Sequence, residues 1–325
     1  MLKTVFTDLV GCKLPIQLAA MPGVVGPDLV AAVADAGALA TFAAPLARPR
    51  EIAHAFDVLR ARTTGVLAAN FLMPFLDPEC VDAVADKVRV VEFFYGQPDA
   101  RLVERAKPKG ALAAWQVGSV EEARAAVDAG CDLLTVQGTE AGGHVRGRTS
   151  LLPLLSLVLD AVSVPVLAAG GLATARDVAA VLAAGAAGAR IGTRLLASAE
   201  SEAHPEYVAR LLRAGAHDTV LTEEFSVMWP NAPHRVLGSA IEAARALDAD
   251  VVGTTPVGDT SMPVPRLSVI PPTRATTGRV DAMALYAGES VGAVTDTRPA
   301  GAIVAELVDG AERLLAAAAA RILSD

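Results

Sequence analysis

Eight short apolar runs, each followed by an Ala-rich stretch of helical periodicity, constrain this chain more than anything else in it. The runs are Leu14–Ala19, Ala38–Phe42, Gly65–Asn70, Arg89–Phe93, Ala111–Gln116, Leu133–Gln137, Pro165–Ala169 and Gly188–Ile191. Between them, Pro27–Ala36, Arg48–Leu59, Asp77–Asp86, Ser119–Ala129 and Thr174–Ala184 carry early acids and apolar residues at helical spacing. Three of these helices end in Ala-Gly, at Gly37, Gly130 and Gly185, where glycine takes the left-handed conformation cheaply and hands the chain to the next strand. Strands with continuous apolar character and short crossovers are those of a parallel sheet covered on both faces. Eight of them predict an α/β fold, a closed TIM (β/α)₈ barrel. An open doubly wound sheet is the competing arrangement, but Pro22-Gly23-Val24-Val25-Gly26 lacks the glycine spacing of a dinucleotide-binding turn.

The pattern changes near residue 200. Residues 217–235 and 253–278 read as long loops, with helices expected over Arg235–Leu247 and Arg279–Ala287 and a terminal helix over Ala300–Leu323. Residues 1–215 with 296–325 are therefore expected to form the barrel, and 216–295 a smaller, mostly helical cap over one mouth. Loops this long in a compact protein usually serve function.

Composition narrows the function classes. Of 325 residues 53% are hydrophobic but 4% aromatic, and mean hydropathy is +0.42. That excludes disorder. The longest unbroken apolar stretch among the candidates, Leu314–Ala320, is far short of the roughly 20 residues of a membrane span. Asp8 interrupts what would be the apolar core of an export signal, so a cytoplasmic location is expected. A net charge of −8 argues against a nucleic-acid partner. Cys12, Cys80 and Cys131 are far apart and without histidine at ligand spacing, so neither a disulfide framework nor a metal site is expected.

In such a barrel, function lies where strands end. After the seventh run comes Gly170-Gly171, and after the eighth Ile191-Gly192-Thr193. Paired glycines and a helix N-terminus side by side form a phosphate cradle, although each alone is also an ordinary tight turn. After the sixth run comes Gln137-Gly138-Thr139-Glu140-Ala141-Gly142-Gly143-His144-Val145-Arg146-Gly147. Its glycines allow close approach of a flat ligand, and His144 is a candidate base or hydrogen-bond donor. Asn70, Gln116 and Gln137 are amides at strand ends in apolar surroundings, which need partners from neighbouring loops or from a ligand with imide-like edges. The other histidines, at 54, 204, 217 and 234, are assigned to the surface or to structure.

Together, Pro15–Met21, Ala69-Asn70-Phe71, the Gln137–Gly147 loop, Ala169-Gly170-Gly171, Gly192-Thr193 and Tyr286-Ala287-Gly288-Glu289-Ser290 resemble the nitronate monooxygenase family, over about residues 14–320. The resemblance implies non-covalent FMN at the strand ends. Ala20 and Met21 would lie by the ring, Asn70, Gln116 and Gln137 at its polar edge or ribityl chain, and Gly142 and Gly143 against it. Gly170, Gly171, Ile191, Gly192 and Thr193 would surround the phosphate. His144 would be the base, and Tyr286 and Ser290 would line the substrate pocket. A small nitronate and dioxygen are the implied partners. Three positions depart from the family pattern: Gln116 stands where Lys is common, Arg190 and Glu289 where Gln is common. An enoyl-acyl-carrier-protein reductase using NADH and a non-catalytic flavin-binding protein are the alternatives.

Overall fold

In a computed structural model, residues 2–257 and 260–322 of the chain are described. Eight parallel strands form the barrel: β1 Ile16–Leu18, β2 Ala40–Phe42, β3 Leu67–Leu72, β4 Val90–Phe94, β5 Leu112–Val117, β6 Leu133–Gln137, β7 Val166–Ala169 and β8 Gly188–Ile191. Each pairs with its sequence neighbour, and β8 returns to β1 through the Ile16–Ala189 to Leu18–Ile191 register. The last seam, β1 to β2, closes at Gln17–Leu39, where Leu39 N–H donates to Ile16 C=O at 3.0 Å and Leu18 N–H to Leu39 C=O at 2.9 Å. All eight strands lie within the sequence-predicted runs or overlap them. The reason is local: each is a short, mostly apolar run with at most two polar side chains, buried on both sides of the sheet.

Seven crossover helices follow the first seven strands, from Pro27–Asp35 to Ala175–Ala183. Gly37, Gly130 and Gly185 hold the left-handed backbone expected of them, at φ 93°, 94° and 103°. The eighth place in the helix ring is filled by the terminal helix Ala300–Ile322, which packs between Ala175–Ala183 and Pro27–Asp35. Its predicted end at Leu323 lies outside the described residues, as do residues 324 and 325. Everything from 192 to 299 is thus one long connection between β8 and its helix. At the opposite end, helix Val5–Val10 plugs the barrel floor. Phe6 and Val10 pack there against Leu39, Ala68, Val90, Ala114, Leu133 and Leu167.

The cap departs from expectation. It was expected to be mostly helical, but it carries two three-stranded antiparallel sheets beside one α-helix, Gly238–Arg245. The first sheet pairs β9 (Thr219–Thr222) with β10 (His234–Leu237), and β10 with the two-residue strand Gly143–His144. The second is the hairpin β11 (Val251–Val257) and β12 (Thr260–Pro265), with β13 (Thr277–Gly278) on its other edge. The two expected loops therefore contain strands, and the helix expected from Arg235 begins three residues later. The helix expected over Arg279–Ala287 is a single 3₁₀ turn, Val280–Ala282, followed by extended chain. Met283, Ala284, Leu285 and Ala287 are all buried, so no face is left for solvent. The backbone is instead held by Leu237 N–H donating to Leu285 C=O at 2.9 Å and by the Val236–Tyr286 bridge. The cap core, built on Tyr207, Phe225, Val236, Leu237, Met283 and Leu285, runs without a break into Val24 and Leu196 of the barrel rim.

The three cysteines are separately buried as free thiols. Among the described residues no helix is long and apolar enough to cross a membrane, and no group of three His, Cys, Asp or Glu is placed to hold a metal ion.

Candidate active site

Between the barrel mouth and the cap lies a cavity of ≈ 630 Å³, within the size range of cofactor and ligand sites. Its floor is polar and is made by inward-facing strand residues. Gln17 on β1, Thr41 on β2, Asn70 on β3, Glu92 on β4, Gln116 on β5, Thr135 and Gln137 on β6 and Arg190 on β8 are all buried. Most are joined in one network. The Arg190 guanidinium donates to Gln17 Oε1 at 3.1 Å, to Gln116 Oε1 and to Glu92 Oε1. Asn70 Nδ2 donates to Glu92 Oε2 at 2.8 Å and Thr135 Oγ1 to Glu92 Oε1 at 3.1 Å. Gln17 Nε2 reaches Thr41 Oγ1 at 3.1 Å. Asn70, Gln116, Gln137 and Arg190 also line the cavity. Gln137 gives its Nε2 to the carbonyl of His144 at 3.0 Å, which leaves its Oε1 buried without a partner.

The glycine-rich rim is held mainly by protein–protein contacts. A Cβ on Gly142 would lie 2.5 Å from Gly288 N, and one on Gly288 2.9 Å from Gly142 N. These two glycines let the loop after β6 and the late Tyr-Ala-Gly-Glu-Ser loop touch backbone to backbone. Gly143, at φ 75°, has open space where a Cβ would be. Glu140 accepts the amide of Leu151 at 3.0 Å and so caps the helix Leu151–Ala161.

The candidate phosphate cradle has fewer free amides than the sequence predicted. Just ahead of helix Ala175–Ala183, the amides of Ala173 and Thr174 are given to Asp177 Oδ2 at 2.9 and 2.8 Å in the helix's own capping box. The remaining candidate is the pair of turns Gly170-Gly171 and Gly192-Thr193, both in the cavity wall. Thr193 Oγ1 also accepts Gly288 N–H at 3.0 Å, tying the cradle to the cap. Ala20, Met21, Tyr286 and Ser290 line the cavity as well. Ile191 does not: it is fully buried in the barrel core and contributes backbone alone, accepting Ala19 N–H at 2.9 Å.

His144 faces the cavity under an aromatic clamp. Its ring stacks on Trp229 at 3.9 Å and 21°, and Tyr95, His234 and Tyr286 stand 5.3–5.8 Å away. Its Nε2 is buried with no hydrogen-bond partner. Burial, and secondarily the neighbouring His234, push its pKa down to about 3, so the imidazole is neutral at physiological pH. His234 is a buried structural residue. Its Nε2 accepts Phe225 N–H at 3.2 Å, so the ring proton is on Nδ1, which donates to Ala232 C=O at 2.8 Å. Tyr286 spends its hydroxyl on Val269 C=O at 2.8 Å and offers the cavity its ring. Glu289, the acid that departs from the family pattern, pairs with Arg235 at 3.0 Å.

The structure brings the predicted residues together around one cavity, Ile191 excepted. Sequence reasoning missed Glu92 and Thr135 as floor groups, and Tyr95 and Trp229 as ring neighbours of His144. A lone carboxylate inside the apolar run Arg89–Phe93 was the available signal for Glu92.

Fold and site together define a (β/α)₈-barrel protein with a capped ligand cavity at the strand C-termini. Residues 79–310 match the family described as nitronate monooxygenase, and the chain belongs to that family. It is 35% identical over 240 residues to a Rhodococcus jostii (strain RHA1) protein named (3aS,4S,5R,7aS)-5-hydroxy-7a-methyl-1-oxo-octahydro-1H-indene-4-carboxyl-CoA dehydrogenase. That match covers 73% of this chain and 66% of the relative, so the chain spans just under two thirds of it. Among solved structures it is similar to FabK from Thermotoga maritima (TM-score 0.80, 26% identity, 99% of this chain and 100% of that one). It is also similar to a nitroalkane oxidase from Streptomyces ansochromogenes (TM-score 0.75, 28% identity, 96% and 99%).

Proposed function

We propose that this protein is an FMN-dependent oxidoreductase that oxidises small alkyl nitronates with dioxygen as electron acceptor. The observation that carries the reading is the pair of orphaned buried polar atoms, Gln137 Oε1 and His144 Nε2, in residues that line the same cavity. A buried polar atom without a partner is costly, and a ligand with hydrogen-bonding edges relieves that cost. The residues present fit FMN. Asn70, Gln116, Arg190 and Gln137 offer donors and acceptors at the floor, Gly170-Gly171 and Gly192-Thr193 would hold its phosphate, and Ala20 and Met21 would lie by the ring. Bound FMN supplies the electron transfer from substrate to dioxygen.

The chain's own residues orient the substrate and exclude water. Trp229, Met228, Val269, Ile270 and Tyr286 make the outer wall apolar, and segment 216–295 is thereby assigned the substrate side. At neutral pH His144 has one ring N–H and no imidazolium proton to give, and it keeps unused hydrogen-bonding capacity toward the cavity. An imidazole whose conjugate acid has a pKa of about 3 is a weak base. His144 therefore serves best with a substrate that arrives already deprotonated, as a nitronate does, and less well with a neutral nitroalkane.

The apolar outer wall, with the thioester named in the Rhodococcus relative, favours a second reading: an enoyl-thioester reductase using NADH. The test has two arms. Purified protein is expected to be yellow and to consume dioxygen with ethylnitronate or propionate 3-nitronate, with turnover reduced in FMN-loaded His144→Asn. Rapid anaerobic bleaching of the flavin by NADH transfers the assignment to the reductase. Colourless protein that refuses FMN at micromolar levels overturns both.

A further inference from the structure

The Glu92–Arg190 pair is buried on both sides, with side chains 1% and 4% exposed. Removing two charges from water costs about as much as their attraction returns, and apolar replacements of such pairs are often neutral or stabilising. Stability therefore does not account for it. Its two ends differ in how they are used. Glu92 is spent within the protein: Oε1 accepts Arg190 and Thr135, and Oε2 accepts Asn70. Arg190 is not. Of the five N–H groups of a guanidinium, three go to Gln17, Gln116 and Glu92. The other two, one on each terminal nitrogen, have no acceptor among the described residues, and Arg190 lines the cavity.

The pair also fixes which way the neighbouring amides face. Glu92 accepts only, so Asn70 must turn Nδ2 toward it and keep Oδ1 for other use. Arg190 donates only, so Gln116 must turn Oε1 toward it and keep Nε2 as a free donor. One ion pair thus sets a cation and the polarity of two flanking amides at the floor of the site.

We infer that Arg190, positioned by Glu92, offers its charge to the polar edge of the bound ring and stabilises negative charge there. The inference rests on the FMN reading above. Reduction of a flavin by two electrons with uptake of one proton leaves it one charge more negative, the electrons coming from the oxidised substrate. A fixed cation favours that state and its counter-charge opposes it.

The two partners are therefore expected to act with opposite sign. Midpoint potentials are measured on FMN-loaded protein by dithionite titration against a reference dye, and FMN dissociation constants by fluorescence. Arg190→Gln is expected to lower the potential and weaken FMN binding about tenfold, the worth of one charge-assisted hydrogen bond. Glu92→Gln, which keeps the side chain's size and removes its charge, is expected to raise the potential. Arg190→Lys is expected to stay near wild type. A purely architectural pair would move both neutral variants in the same direction, and that result, or no shift in either while FMN still binds, overturns the inference. If Arg190→Gln does not fold, Glu92→Gln read against Arg190→Lys decides by the same sign. Wild-type protein that binds no FMN removes the cofactor reading itself, an outcome visible before any variant is made.

Discussion

The floor and the roof of the cavity are built on opposite principles. The floor consists of polar side chains on seven of the eight parallel strands, joined in one network that gives Asn70, Gln116 and Arg190 one orientation. The roof consists of apolar and aromatic side chains on cap loops, where Met228, Asn231 and Leu267 adopt positive φ and Trp229 lies on His144 by stacking rather than by hydrogen bond. A strand position inherits its direction from the barrel, whereas a loop position takes its direction from whatever it packs against. Ligand polarity is therefore read by the rigid part of the molecule. Water exclusion, and with it the protonation state of His144, is set by the part that varies most easily in sequence.

Breaking the floor is expected to cost most. Glu92→Ala leaves the Arg190 charge buried without its partner, a loss of about 3–5 kcal/mol in denaturant unfolding of the apoprotein. A change of less than about 1 kcal/mol would show that water or rearrangement replaces the carboxylate easily, and the contrast with the roof would fail.

The seam between floor and roof comes next. In Gly142→Ala the new Cβ meets the backbone of Gly288 and Ala287, where no side chain can swing away. An overpacking cost of about 1–3 kcal/mol is expected, together with weaker FMN binding as the two loops part. Unchanged thermal unfolding and unchanged FMN affinity would show that the loops do not need their close contact.

The effect that is smallest at neutral pH, and grows in acid, sharpens the comparison at the roof. His144 is held neutral in the folded protein, with a pKa of about 3, whereas an exposed histidine titrates near 6.5. As pH falls below 6.5 the unfolded chain takes up a proton that the folded one does not. Stability is therefore full above that pH and is lost progressively down to about 3, at about 1.4 kcal/mol per pH unit for this group. His144→Phe is expected to flatten that part of the pH–stability curve. In Trp229→Ala, water reaches the imidazole, and its pKa, followed by NMR, is expected to climb toward 6.5. A pKa that stays low without the indole would move the cause from Trp229 to the rest of the burial and to His234.

The eight barrel strands, the glycine helix ends and the polar groups at strand ends were legible in the sequence because each rests on local rules: apolar runs of strand length, a glycine where φ is positive, an amide amid hydrocarbons. The cap was less legible. Residues 283–287 satisfy a helical reading, yet burial on all sides draws them into extended chain beside β10. The candidate phosphate cradle lost two amides, those of Ala173 and Thr174, because Asp177, a residue that reads as ordinary capping, accepts both. Gly142 and Gly143 stood out in the chain, but which of them approaches another backbone and which faces open space could not be read from their order.

The sequence by itself determined the barrel and the cast of polar residues at its mouth, since periodicity and turn chemistry act over a few neighbours. Only the tertiary structure decided that Glu92 and Arg190, 98 positions apart, share one buried contact, and that an indole from the cap stacks on a buried His144. Both depend on which strands and loops become neighbours when the sheet closes, and closure is a property of the whole chain.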